Sequence, residues 1–144
     1  MRLPPLVPLR RLAIGAMACM TLSVASAADC GAQLPAASRQ IAHVPGYVVA
    51  FAPSAWPLPV GQHFSVHLEV CPAPGKAMPL RVQLDADMPL HKHGMNYQTT
   101  VQSTGPGRYT AQGLMFHMPG RWRLMFDLNT GTTTVRVPSE LDVQ

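Results

Sequence analysis

Charge is scarce in this chain: 12% of its residues are Asp, Glu, Lys or Arg, and the formal net charge is +4. Even that surplus is misplaced for binding an anion. Three of the eleven basic residues, Arg2, Arg10 and Arg11, lie in the first 27 positions, whereas all seven acidic residues follow them. Beyond residue 27, eight basic residues face seven acidic ones, so no basic stripe exists to follow a nucleic-acid backbone. Catalytic signatures are missing too. There is no G-x-S-x-G, no glycine-rich phosphate loop, no C-x-x-C and no H-E-x-x-H, and the sequence reads as a non-enzyme. Asp85 and Asp87 fall on the outer side of a strand pattern, which suits solubility charges better than an acid/base pair. Nor does any apolar pattern hold a 3.6-residue period for three turns, which excludes a helical bundle.

The one sustained apolar run is N-terminal. Arg2, Arg10 and Arg11 precede the mostly apolar stretch Leu12 to Val24, and Ala25-Ser26-Ala27 supplies small residues for cleavage. The run is broken by Thr21 and Ser23 and falls short of the roughly 20 residues a spanning helix needs. Residues 1–27 therefore read as a cleaved signal peptide, with Ala28 first in the mature chain, and the protein is expected to be periplasmic or secreted. Ala16-Met17-Ala18-Cys19 is loosely lipobox-like, but the apolar stretch continues past Cys19, which argues against a lipid anchor. Cys30 and Cys71 remain. Two cysteines in an exported chain favour a disulfide, which would close a loop of about 40 residues and stabilise by roughly 3–5 kcal/mol. A copper or redox role for these thiols is the rival reading.

Residues 28–45 are rich in Ala, Ser, Gln and Pro without a period, and read as an N-terminal arm ordered by that disulfide. From residue 46 to 144 the pattern is β. Tyr47–Ala52 is β-branched and aromatic between Pro-Gly and Pro; Phe64, Val66, Leu68 and Val70 alternate with polar neighbours; so do Val82, Leu84, Ala86 and Met88. Tyr97–Gln102, Arg108–Phe116, the Trp122/Leu124/Phe126/Leu128 alternation and Thr132–Val137 complete about seven short strands separated by Gly/Pro turns. Tyr109, Ala111, Gly113 and Met115 are expected on one face, with His117 continuing it. This is the profile of an all-β, immunoglobulin-like antiparallel β-sandwich. The Cys–Trp–Cys spacing of antibody domains is absent, so the expectation concerns architecture.

Potential metal donors concentrate in two turns. Met88-Pro89-Leu90-His91-Lys92-His93-Gly94-Met95 places two imidazoles between two thioethers, and His117-Met118 precedes Pro119-Gly120. Residues two apart in extended backbone share a side, so His91 and His93 can project together with Met95 continuing the row. Borderline imidazole with soft sulfur suits copper rather than magnesium or calcium. The candidate ligands are His91, His93, Met95, His117, Met118 and Met88. Each has an ordinary alternative. The loop histidines would face water, Met88 would fill the end of the core, and His117 would bond backbone. His63 and His67 read as a solvated strand face, and His43 carries no signal.

Met88-Pro89-Leu90-His91-Lys92-His93-Gly94-Met95, then Gly107-Arg108-Tyr109, then Phe116-His117-Met118-Pro119-Gly120-Arg121-Trp122-Arg123-Leu124 resemble the YtkA-like domain over about residues 60 to 137. That family is similar in outline to FixH-like and CopC-like envelope domains. The resemblance implies an exported β-sandwich accessory protein linked to metal handling, without enzymatic activity. Pro119-Gly120 and Trp122 would serve any such sandwich structurally. His-Lys-His stands where many relatives carry methionine and small residues. The combined expectation is an exported domain that binds copper and carries or delivers it to an envelope partner, such as a copper enzyme under assembly. The alternative is a metal-free interaction module that docks on an envelope redox or membrane complex through an exposed apolar patch.

Overall fold

The computed structural model describes residues 29–144. The expected signal peptide and Cys19 lie outside the described residues. Nine strands form in chain order: β1 (Gln40–Val44), β2 (Tyr47–Pro53), β3 (His63–Pro72), β4 (Arg81–Met88), β5 (His93–Gly94), β6 (Thr100–Gly105), β7 (Arg108–Met115), β8 (Gly120–Asn129) and β9 (Thr134–Val143). They make two sheets, ordered β1-β2-β3-β7-β6 and β5-β4-β8-β9, and every pairing of named strands is antiparallel. With β1 and β5 set aside, β2-β3-β7-β6 faces β4-β8-β9, the A-B-E-D and C-F-G order of an immunoglobulin-type sandwich.

Alternation explains the core. Val66, Leu68 and Val70 of β3 point inward against Val82, Leu84 and Ala86 of β4 and Trp122, Leu124, Phe126 and Leu128 of β8, all essentially inaccessible to water. Phe51 meets Phe126 across the sheets with ring centroids 5.0 Å apart, and Phe116 stacks on Trp122 at 4.6 Å. Each fully buried side chain of this size contributes about 1.5–3 kcal/mol.

The strand count departs from seven because two elements are short. β1 arises within the expected arm; it is five residues long and buries only Ala42 fully, so its pattern is too brief to show a period. β5 is two residues long. β6 begins at Thr100 rather than Tyr97, because residues 95–99 cross from one sheet to the other, with the Thr99 hydroxyl donating to the Leu84 carbonyl. β9 runs six residues past Val137, through Pro138, which an edge strand tolerates.

β7 holds the departure that matters most. Val66 pairs with Ala111 but Phe64 pairs with Leu114, so one extra residue is accommodated in β7. Gly113 sits there with φ +87°, and a Cβ added to it would lie 2.9 Å from the Gln98 carbonyl oxygen. This bulge reverses the alternation. Tyr109 and Ala111 face inward, then Leu114 and Phe116 do, while Met115 and His117 turn outward. The expectation that Met115 and His117 share a face with Tyr109 and Ala111 is corrected accordingly.

Candidate functional site

Met88 ends β4, and the chain reverses at once. The amides of His91 and Lys92 both donate to the Met88 carbonyl, at 3.0 and 2.9 Å. Lys92 takes φ 56°, a left-handed conformation that completes the turn. β5 then pairs back, with His93 opposite Met88 and Gly94 opposite Asp87. The loop is thus a tight hairpin rather than an extended row. His91 is at its exposed tip, while His93 is half-buried and held in the sheet. Asp87 anchors the hairpin's root through two bonds from Arg123, at 2.9 and 2.5 Å. That hydrogen bond raises the Arg123 guanidinium above its ordinary pKa. Asp87 is therefore a structural anion, and Asp85 accepts from the Ala86 amide.

The second turn comes to the same pole. Because β4 and β8 are antiparallel with Asp87 opposite Arg123, the start of β8 and the turn before it lie beside the β4–β5 hairpin. His117 places its ring centroid 5.1 Å from that of His93, and His93 lies 5.8 Å from His91. His93 therefore stands between the other two. Beneath them is Trp122, fully buried, meeting His93 and His117 edge-on at 6.0 and 5.3 Å. Its indole N–H donates to the Met118 carbonyl at 3.1 Å, which fixes the second turn over the core.

Two imidazoles sharing one ion at a metal–nitrogen distance near 2.0–2.1 Å place their centroids about 5–6.5 Å apart. The His93–His117 and His91–His93 spacings both fall in that interval. A His93 ring that donates Nδ1–H to the Gly94 carbonyl, 3.3 Å away, keeps the lone pair on Nε2 for an ion. Among the described residues no group of three or more His, Cys, Asp or Glu side chains could hold an ion. A bound ion would therefore draw its remaining donors from sulfur or solvent.

The methionines divide. Met95 and Met118 are half-buried and pack against the rim of the core. Met88 is 1% exposed, with its methyl against Gly120, so it fills the end of the core as the cross-strand partner of His93. His67 bonds Thr110 across the outer face at 3.1 Å, and His43 is exposed on β1. Sequence reasoning missed Trp122 as the floor of the histidine cluster and Met115 as an outward side chain. An isolated glycine inside a strand pattern was the available signal for the second.

At the opposite pole Cys30 and Cys71 are joined, with Cα atoms 6.1 Å apart, so these thiols are not available as ligands. Among the described residues no helix is long and apolar enough to cross a membrane.

No family model matches the chain, and no curated protein matches it. Among solved structures, the chain is similar to a crystal structure of a DUF4426 family protein from Pseudomonas aeruginosa. The TM-score is 0.49 and the identity 10%, covering 76% of this chain and 99% of that one; a likeness of this size assigns neither family nor function.

Proposed function

We propose that this protein is an exported accessory domain that binds copper at the His93–His117 pair and carries or delivers it to an envelope partner. The observation that carries this reading is the 5.1 Å approach of two imidazoles from separate turns. His91 stands next in line at the exposed tip, suited to first contact with an incoming ion or a receiving protein. Met95 or Met118 supplies the soft donor that favours Cu(I). The motif resemblance to the YtkA-like domain supports the same reading, and the disulfide suits an oxidising compartment. Imidazole and thioether donors at an exposed turn suit carriage of a soft ion.

The test is titration of the mature chain with Cu(I) and Cu(II), followed by metal analysis after dialysis. A Trp56→Phe background leaves Trp122 as the sole indole beside the bound ion. Retained copper and quenched Trp122 emission are expected with Cu(II), and both should vanish at this site in His93→Ala/His117→Ala. A chain that retains no copper overturns the reading.

One observation favours the metal-free docking alternative. Leu90, 83% exposed, sits at the hairpin tip beside His91. Docking alone would make Leu90→Ser, rather than the histidine substitutions, the variant that abolishes function.

A further inference from the structure

A second pair of donors lies on the outer face of the five-stranded sheet. His63 opens β3 and is exposed, while its neighbour Phe64 points into the core. Met115 ends β7, half-buried, while its neighbour Leu114 points into the core. Both therefore face outward. They are also direct cross-strand partners, which sets their Cβ atoms about 4.5–5.5 Å apart. Tyr97, from the crossing segment, packs edge-on against the His63 ring with centroids 5.0 Å apart.

Met115 is in this place only because of the bulge. Had the alternation of Tyr109 and Ala111 continued, its thioether would have filled the core, the usual use of methionine. Gly113 turns it out instead, onto a histidine. Bulges that re-aim side chains recur beside functional sites. This one exports two donors at once, His117 toward His93 and Met115 toward His63.

We propose that His63 and Met115 form a second soft-metal site, for a monovalent ion of the Cu(I) class, distinct from the His93–His117 pair. One imidazole nitrogen and one thioether sulfur make a two-donor set of the kind soft cations accept. Tyr97 acts as a positioning residue that holds the imidazole over Met115. The inference rests on strand register and not on the histidine cluster at the pole, so the two can fail separately.

The probe is Ag(I), a diamagnetic soft ion that needs no reductant and so leaves the disulfide intact. The mature chain, labelled at its methionine methyl carbons, is titrated while Met115 is followed by NMR. A second equivalent is expected to bind, shifting the Met115 methyl and the His63 ring. His63→Ala/Met115→Leu should weaken that equivalent at least tenfold with the unfolding midpoint nearly unchanged. His93→Ala/His117→Ala should leave the Met115 shift in place. Saturation at one equivalent with the Met115 methyl unmoved overturns the second site while leaving the first. Loss of the Met115 shift in His93→Ala/His117→Ala overturns it as a separate site. Silence at the Met115 methyl overturns this inference alone, since the His93–His117 reading stands or falls on retained copper.

Discussion

The two poles of the sandwich are fastened differently. At the far pole, the connection between β3 and β4 is held at several points. The Tyr47 hydroxyl donates to the Ala77 carbonyl at 2.9 Å, and the Tyr109 hydroxyl to the Pro79 carbonyl at 3.3 Å. The Leu80 amide bonds the Asn129 carbonyl at 2.8 Å, and the disulfide ties residues 30 and 71. At the histidine pole Arg123 holds Asp87 and the Trp122 indole holds the Met118 carbonyl, but two of the three imidazoles are left out of this bonding. Among the described residues no polar group bonds the His91 or His117 ring. One end has its polar groups occupied by the fold, and the other leaves nitrogen lone pairs available. The core runs beneath both ends, with Trp122, Phe116 and Met88 buried under the histidines, so the contrast lies in the polar groups at the surface.

Removing the staple is the most forceful way to break this contrast. The Cys30–Cys71 link spans a separation of 41 residues, for which chain entropy gives about 4 kcal/mol. Cys30→Ser/Cys71→Ser should lose that much in urea unfolding, with a steeper slope because the unlinked unfolded chain exposes more surface. Where the variant is still folded, its copper titration should match that of the parent. A variant that stays folded but binds no copper would show that the poles are coupled.

Gly113→Val tests the opposite coupling, since the bulge serves both the core and the donors. A β-branched residue at φ +87°, with its Cβ 2.9 Å from a backbone oxygen, should destabilise by about 2–4 kcal/mol. Copper binding should weaken along with stability, because His117 moves with the strand end. Unfolding midpoints and copper affinity are measured on the same variant. A stable variant would mean that the bulge is incidental.

His93→Ala/His117→Ala sharpens the contrast from the donor side. Apo stability should change little. Copper at a hundred times its dissociation constant should raise wild-type stability by about 2.7 kcal/mol, and this double variant should lose the share owed to the polar site. A large apo destabilisation would instead make the histidines a lid on Trp122.

Much of this fold is legible in the sequence because inward and outward residues alternate cleanly in β3, β4 and β8, where one face is dry. What escaped was short or irregular. β1 and β5 are too short to show a period, and the bulge at Gly113 reverses a pattern that period-2 reading assumes is continuous. The site was partly legible for the same reasons. Both histidine turns were visible as local motifs, and strand order brings them to one pole. That Met88 faces inward follows from its own strand's alternation with Val82, Leu84 and Ala86. The pairing of Met115 with His63 depends on cross-strand register, which no local pattern encodes.

The smallest expected effect belongs to the far pole and is read through pH. Burial raises the Tyr109 phenol above its ordinary value, so the folded state favours the neutral form that donates to Pro79. A raised folded-state value means this contribution is complete below the unfolded value, about 10. It is lost as pH rises through the higher folded one. Tyr109→Phe should cost about 0.5–1.5 kcal/mol near neutrality through the lost hydrogen bond. Above pH 10 the gap to wild type should narrow, since only the wild type carries a phenol that resists ionising in place. Chemical denaturation at pH 7, 9 and 10.5 measures the gap. A constant gap across that range would mean that Tyr109 titrates as freely folded as unfolded, and that burial at the stapled pole holds no proton in place.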